Sequence, residues 1–153
     1  MIRARMLARG TCAAVLLVAG ISGSAAAQRG SLTATLAGHR KTPASDTLAL
    51  RISVAMTPGW HIGAARPGAS GLATELTWRL PPGWRLVGSR WPTPSAALVG
   101  RDSAFEYRGP FAIETTIVMD GPRRSGPVQA DISYGLCRDM CIPGRLTLTY
   151  DVR

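Results

Sequence analysis

The stretch VQADISYGLCRDMCIPGRLTLTYDV, residues 128–152, decides how this chain folds. Folded as a hairpin with Cys137 facing Cys141, it sets Leu136 against Ile142, Ile132 against Leu146, Ala130 against Leu148 and Val128 against Tyr150. The same register sets Ser133 against Arg145, Asp131 against Thr147 and Gln129 against Thr149. Apolar residues meet apolar ones and polar meet polar along the whole pair. A slip of one residue would turn the apolar set of a strand to the wrong face. Directly opposed antiparallel residues have Cα atoms about 4.5–5.5 Å apart. A disulfide spans about 4.4–6.8 Å, so the two sulfurs can bond near the hairpin tip. Pro143 has no N–H for the ladder and marks the expected irregularity.

Working outward, the same alternation recurs. Leu48, Leu50, Ile52, Val54 and Met56 share one parity, as do Leu76, Trp78 and Leu80. Phe111, Ile113, Ile117 and Met119 do so with Thr115 among them. Period-two patterning predicts strands with one face buried. Residues 31–37 and 84–90 read as weaker strands. Turn signals separate the runs, among them Pro58-Gly59, Pro81-Pro82-Gly83, Gly109-Pro110 and Gly126-Pro127. Seven or so short strands at this spacing predict an all-β fold, an immunoglobulin-like antiparallel β-sandwich, with a small barrel as the alternative. Residues 63–72 and 92–104, rich in Gly, Ala, Pro and Ser, read as irregular connections.

The N-terminus carries Arg3, Arg5 and Arg9, then an apolar run from Ala13 to Ile21, then Ala25-Ala26-Ala27. These are the three parts of a secretory signal peptide, so residues 1–27 are expected to be removed and 28–153 to form one exported domain. The apolar run is too short to span a bilayer, which takes about 20 residues, and no membrane span is expected in the mature chain. Loss of the three arginines takes the net charge from +9 to +6. The remaining basic residues are scattered, without the basic helix or basic–aromatic motif of a nucleic-acid binder. No nucleophile elbow or paired-carboxylate site speaks for a hydrolase. Cys12 leaves with the signal segment, and Cys137 and Cys141 remain where disulfides persist.

Two readings of that pair stay open on the residues alone. A five-residue ring stabilises by about 2 kcal/mol against about 4.7 for a 100-residue loop, so a staple would gain more elsewhere. A loop-tip sulfur is also open to an attacking thiolate. Arg138 favours a thiolate and Asp139 opposes it. The bond is therefore either a redox pair or a structural disulfide in a binding or scaffold domain.

Several segments occur together in order: Trp60-His61-Ile62, Pro67 to Glu75, Leu80-Pro81-Pro82-Gly83-Trp84, Trp91-Pro92-Thr93-Pro94, Phe105-Glu106-Tyr107 and Cys137 to Gly144. The set resembles the N-terminal periplasmic domain of the thiol:disulfide interchange protein DsbD, including its stand-alone and Scs-type relatives. The resemblance implies an immunoglobulin-like domain with Cys137 and Cys141 as the redox pair on a hairpin, Cys141 forming the mixed disulfide. It implies a protein-disulfide reductase component that needs no cofactor or metal. Its partners would be a membrane-embedded or thioredoxin-like electron donor, acting in trans because the chain stops at Arg153, and periplasmic thiol client proteins. The best-studied relatives space the cysteines more widely and shield them with a cap loop bearing acidic and aromatic residues. Here the corresponding residues 95–105 include Ala96-Ala97-Leu98-Val99-Gly100, which offer steric cover by Leu98 without matched acids.

Three further residues compete with plainer readings. His61 is either a half-exposed strand residue or a proton shuttle beside the sulfurs, and Trp60 is its neighbour. His39 reads as a solvated loop residue. Met140, with reduced Cys137 and Cys141, would give a soft sulfur set for Cu(I), or is simply an apolar loop residue.

Overall fold

A computed structural model describes residues 30–40, 42, 45–122 and 124–153. The expected signal peptide and Cys12 lie outside the described residues. Ten strands form in order: β1 Leu32–Arg40, β2 Thr47–Met56, β3 His61–Gly68, β4 Glu75–Arg79, β5 Trp84–Arg90, β6 Ser95–Val99, β7 Asp102–Arg108, β8 Phe111–Met119, β9 Gly126–Cys137 and β10 Cys141–Val152. They make two antiparallel sheets, one ordered β1-β2-β8-β5 and the other β10-β9-β3-β7-β6, with β4 also paired to β9. Two separate sheets packed face to face are the immunoglobulin-like sandwich and not a closed barrel. Among the described residues there is no helix, and none is long and apolar enough to cross a membrane.

The alternation explains the core. Leu48, Leu50, Ile52 and Val54 of β2 are buried, as are Ile113, Ile117 and Met119 of β8. They meet Val128, Ala130 and Ile132 of β9 across the sandwich. Each such side chain contributes about 1.5–3 kcal/mol by leaving water. Thr115, the polar member of the β8 stripe, is buried but satisfied. Its Oγ1 lies 2.8 Å from Ser89 Oγ, which also accepts from Trp78 Nε1 at 3.3 Å. At the far end Tyr107 stacks on Phe111 and on Trp91 and donates to the Pro92 carbonyl. Burial pushes the hydroxyls of Tyr107 and Tyr134 above the ordinary phenol value.

The terminal hairpin has the expected register. Cys141 pairs with Cys137, Ile142 with Leu136, Leu146 with Ile132 and Tyr150 with Val128. Three expectations need correction. Residues 63–72 are not all irregular, because β3 runs to Gly68; its ladder to β7 is broken between Gly63 and Gly68. That break keeps the stretch from alternating. Residues 92–104 hold all of β6 and the start of β7, a hairpin turning at Gly100 and Arg101. Small residues such as Ala96 and Ala97 hide its period. His39 is exposed on β1 and not in a loop.

Candidate functional site

The site grows from one row across the second sheet. Cys141 on β10 faces Cys137 on β9, which faces His61 on β3, which faces Arg108 on β7. In-register neighbours share a face with Cβ atoms about 4.5–5.5 Å apart. The two sulfurs are bonded and the Cα atoms lie 4.0 Å apart. Cys137 is 6% exposed, whereas Cys141 is open to solvent. The Sγ of Cys137 lies 3.4 Å from the Gly135 carbonyl oxygen.

Beside this row sits Glu106, whose side chain is only 5% exposed. Its Oε2 is 3.1 Å from His61 Nε2, and its Oε1 accepts from the guanidinium of Arg108. A buried carboxylate is stable only when paired and hydrogen-bonded, and both conditions are met. Glu106 faces Gly63 across the ladder. A Cβ on Gly63 would lie 1.9 Å from the Leu72 carbonyl oxygen. The glycine thus lets residues 69–73 lie against the sheet, where Thr74 pins them by donating to the Gly63 carbonyl at 2.6 Å. At the other side the β6–β7 hairpin forms a second wall.

Between these walls is a cleft of about 320 Å³, lined by both cysteines, His61, Glu106 and the apolar side chains Leu72, Leu98, Val99, Phe105 and Met140. Those five and Ile142, next to Cys141, are large apolar residues left exposed, Leu98 by 80% and Met140 by 72%. Such patches on a monomer mark interaction sites. Leu98 lines the cleft but points largely to solvent, so the Cys141 side stays approachable. Trp60 is buried in the cluster of Ile62, Tyr107 and Leu136. The Arg138 guanidinium lies 5.3 Å above its ring. Among the described residues, Trp60 Nε1 is buried without a hydrogen-bond partner. No three His, Cys, Asp or Glu side chains among the described residues gather as a metal site.

Residues 31–150 match the family described as thiol:disulfide interchange protein DsbD, N-terminal. The chain belongs to the DsbD N-terminal family. No curated protein matches it. Its fold is similar to the N-terminal periplasmic domain of ScsB from Proteus mirabilis, at TM-score 0.57 and 19% identity, over 81% of this chain and 47% of that one. The chain thus spans about half the length of that domain. The GAE domain of GGA2p from Saccharomyces cerevisiae follows at TM-score 0.49 and 12% identity, over 80% of this chain and 89% of that one. The reduced DsbD N-terminal domain of Neisseria meningitidis gives 0.41 and 11%, over 71% of this chain and 78% of that one. Membership of the DsbD N-terminal family places the chain among domains of thiol–disulfide exchange.

Sequence reasoning singled out Cys137, Cys141, His61, Trp60 and Leu98. Four of them line or border one cleft, and Trp60 sits beneath its Arg138 edge. It missed Glu106, although the residue stood inside a quoted segment. The available signal was a lone acid between Phe105 and Tyr107, two positions before Arg108.

Proposed function

We propose that the domain is a periplasmic thiol–disulfide exchange module that relays electrons from a membrane-embedded or thioredoxin-like donor to thiol client proteins. The observation that carries this reading is the asymmetry of the disulfide. Cys141 is open and ringed by exposed apolar side chains, while its partner Cys137 is buried. A structural staple at a hairpin tip has no use for an apolar rim. A docking protein does.

The donor thiolate attacks Cys141 Sγ, since exchange needs access to the attacked sulfur. A donor–Cys141 disulfide forms, the Cys137–Cys141 bond breaks, and its electron pair stays on Cys137. The second thiol of the donor then attacks the donor sulfur, leaving an oxidised donor and a reduced pair. The two electrons pass to the client by the same steps reversed, with Cys141 attacking the client disulfide and Cys137 resolving. Catalysis of this kind needs no metal or cofactor. The exported location is supported by the N-terminal pattern and by the periplasmic ScsB domain of similar fold.

The test is the equilibrium of the pair in the folded protein against graded dithiothreitol buffers, read by alkylation mass shifts. The reading expects half-reduction at a potential above about −300 mV, the region where labile rather than structural disulfides lie. A pair that stays oxidised until the protein unfolds would make it a staple in a binding domain.

A further inference from the structure

We propose that His61 carries the proton of Cys137 during exchange, and that the buried Glu106 is the positioning residue that orients the His61 ring for it. This rests on the exchange reading above and adds to it the proton path.

The need for such a path follows from where Cys137 sits. When the disulfide opens, Cys137 Sγ receives an electron pair in a buried position, 3.4 Å from the Gly135 carbonyl oxygen. A thiolate there lacks water and faces the lone pairs of an acceptor, both of which disfavour the charged form. A thiol there can donate to that oxygen. The reduced pair therefore rests with Cys137 protonated, and a proton must arrive when the bond opens and leave when it closes.

His61 is the group placed to move it. It is the in-register neighbour of Cys137 on β3, and it lines the same cleft. The charged side chains lining the cleft with it are Glu106 and Arg108 on β7 and Arg138 and Asp139 at the hairpin tip, and Ser70 of the cleft wall donates to Asp102 at the start of β7. Of these residue types only histidine ordinarily changes charge between pH 5 and 8. Glu106 Oε2 takes the Nε2–H of His61. Nδ1 is the nitrogen left for sulfur. With Arg108 bound to the other carboxylate oxygen, the Glu106 side chain is fixed from both sides. The same order of carboxylate, imidazole and reacting atom orients histidine in other sites that move protons.

The step balances. The donor thiolate bonds to Cys141 Sγ, the Cys137–Cys141 bond breaks, and the His61 imidazolium gives its Nδ1 proton to Cys137 Sγ. The products are the mixed disulfide, a Cys137 thiol and neutral His61, which regains a proton from solvent along its exposed edge. In the reverse direction neutral His61 takes the thiol proton as Cys137 attacks.

Reduction of the oxidised protein by dithiothreitol is followed from pH 5 to 9, each rate divided by the concentration of dithiothreitol thiolate. Wild type should give a normalised rate that is higher at the acid end of this range than at the alkaline end. His61→Gln should flatten the profile and slow exchange at pH 6 by about 100-fold, the low end for positioned proton transfer. Glu106→Gln keeps the shape of the side chain and should lower the acid plateau, and Glu106→Asp should recover part of it. A merely structural Glu106 would change the melting temperature and leave the shape of the profile alone. Superimposable normalised profiles for wild type and His61→Gln would overturn the proposal and leave the exchange reading standing. A wild type that is not reduced at any of these pH values would overturn both.

Discussion

Strands β9 and β10 run through both ends of the outer face of the second sheet, yet the ends differ. At the base, Glu75, Thr77 and Arg79 of β4 lie beside Asp131 and Ser133 of β9 and Arg145 and Thr147 of β10. Arg79 pairs with Asp131 at 2.7 Å, Thr147 donates to Asp131 at 2.6 Å, and Ser133 donates to Glu75 at 3.3 Å. Glu75, Arg79 and Asp131 each have a polar partner there, and Arg145 is open to water. At the tip, one row holds a disulfide, a histidine and an arginine, with a carboxylate buried alongside and apolar side chains left exposed. Polar is buried and apolar is exposed, the reverse of the base. Alternation alone makes a solvated face. The cover supplied by residues 69–73 and the β6–β7 hairpin turns the same lattice into a site.

That contrast can be broken at either end. The larger effect belongs to the tip. Replacing Leu98 and Met140 together by Ser removes two of the most exposed apolar side chains of the rim. Exchange with a thioredoxin should slow by about tenfold, equivalent to about 1.4 kcal/mol of docking energy. Exchange with dithiothreitol, too small to touch the rim, should be unchanged, as should the melting temperature. Stopped-flow rates with the two reductants make the comparison, and equal slowing with both would remove the rim from partner docking. The smaller effect belongs to the base. Arg79→Ala breaks an ion pair whose arginine is 60% exposed. Its cost in urea unfolding should stay below about 1 kcal/mol, as for other surface pairs. Exchange rates should not move, and a slowed exchange would mean that the two ends are coupled.

The sequence made the base of this face more legible than the tip. The β9–β10 register followed from matching apolar and polar partners over seven residue pairs around the two cysteines, because one wrong step would turn the apolar set to the wrong face. The core stripes of β2 and β8 were readable for the same reason. The β6–β7 hairpin was not, because Ala96, Ala97 and Ala104 carry too little apolar contrast to mark a period. Nor was the broken ladder of β3, since a bulge erases alternation where it occurs. His61 was left between two readings because its role depends on pairing across chain-distant strands. Glu106 was hidden more thoroughly. By parity it belongs to the outer face and should be solvated, and it is buried only because residues 69–73 cross over Gly63. Both cysteines and the histidine could be named from the chain; the carboxylate that links them to Arg108 required the fold.

The most direct test of the account is which sulfur is attacked. Cys137→Ala and Cys141→Ala proteins are each incubated with a thioredoxin whose resolving cysteine has been removed and which has been activated as a mixed disulfide with a small aromatic thiol. The account predicts that Cys137→Ala, which keeps the open Cys141, forms the protein–protein disulfide rapidly, while Cys141→Ala, which keeps only the buried Cys137, traps little. Equal trapping by both, or trapping through Cys137 alone, would contradict it.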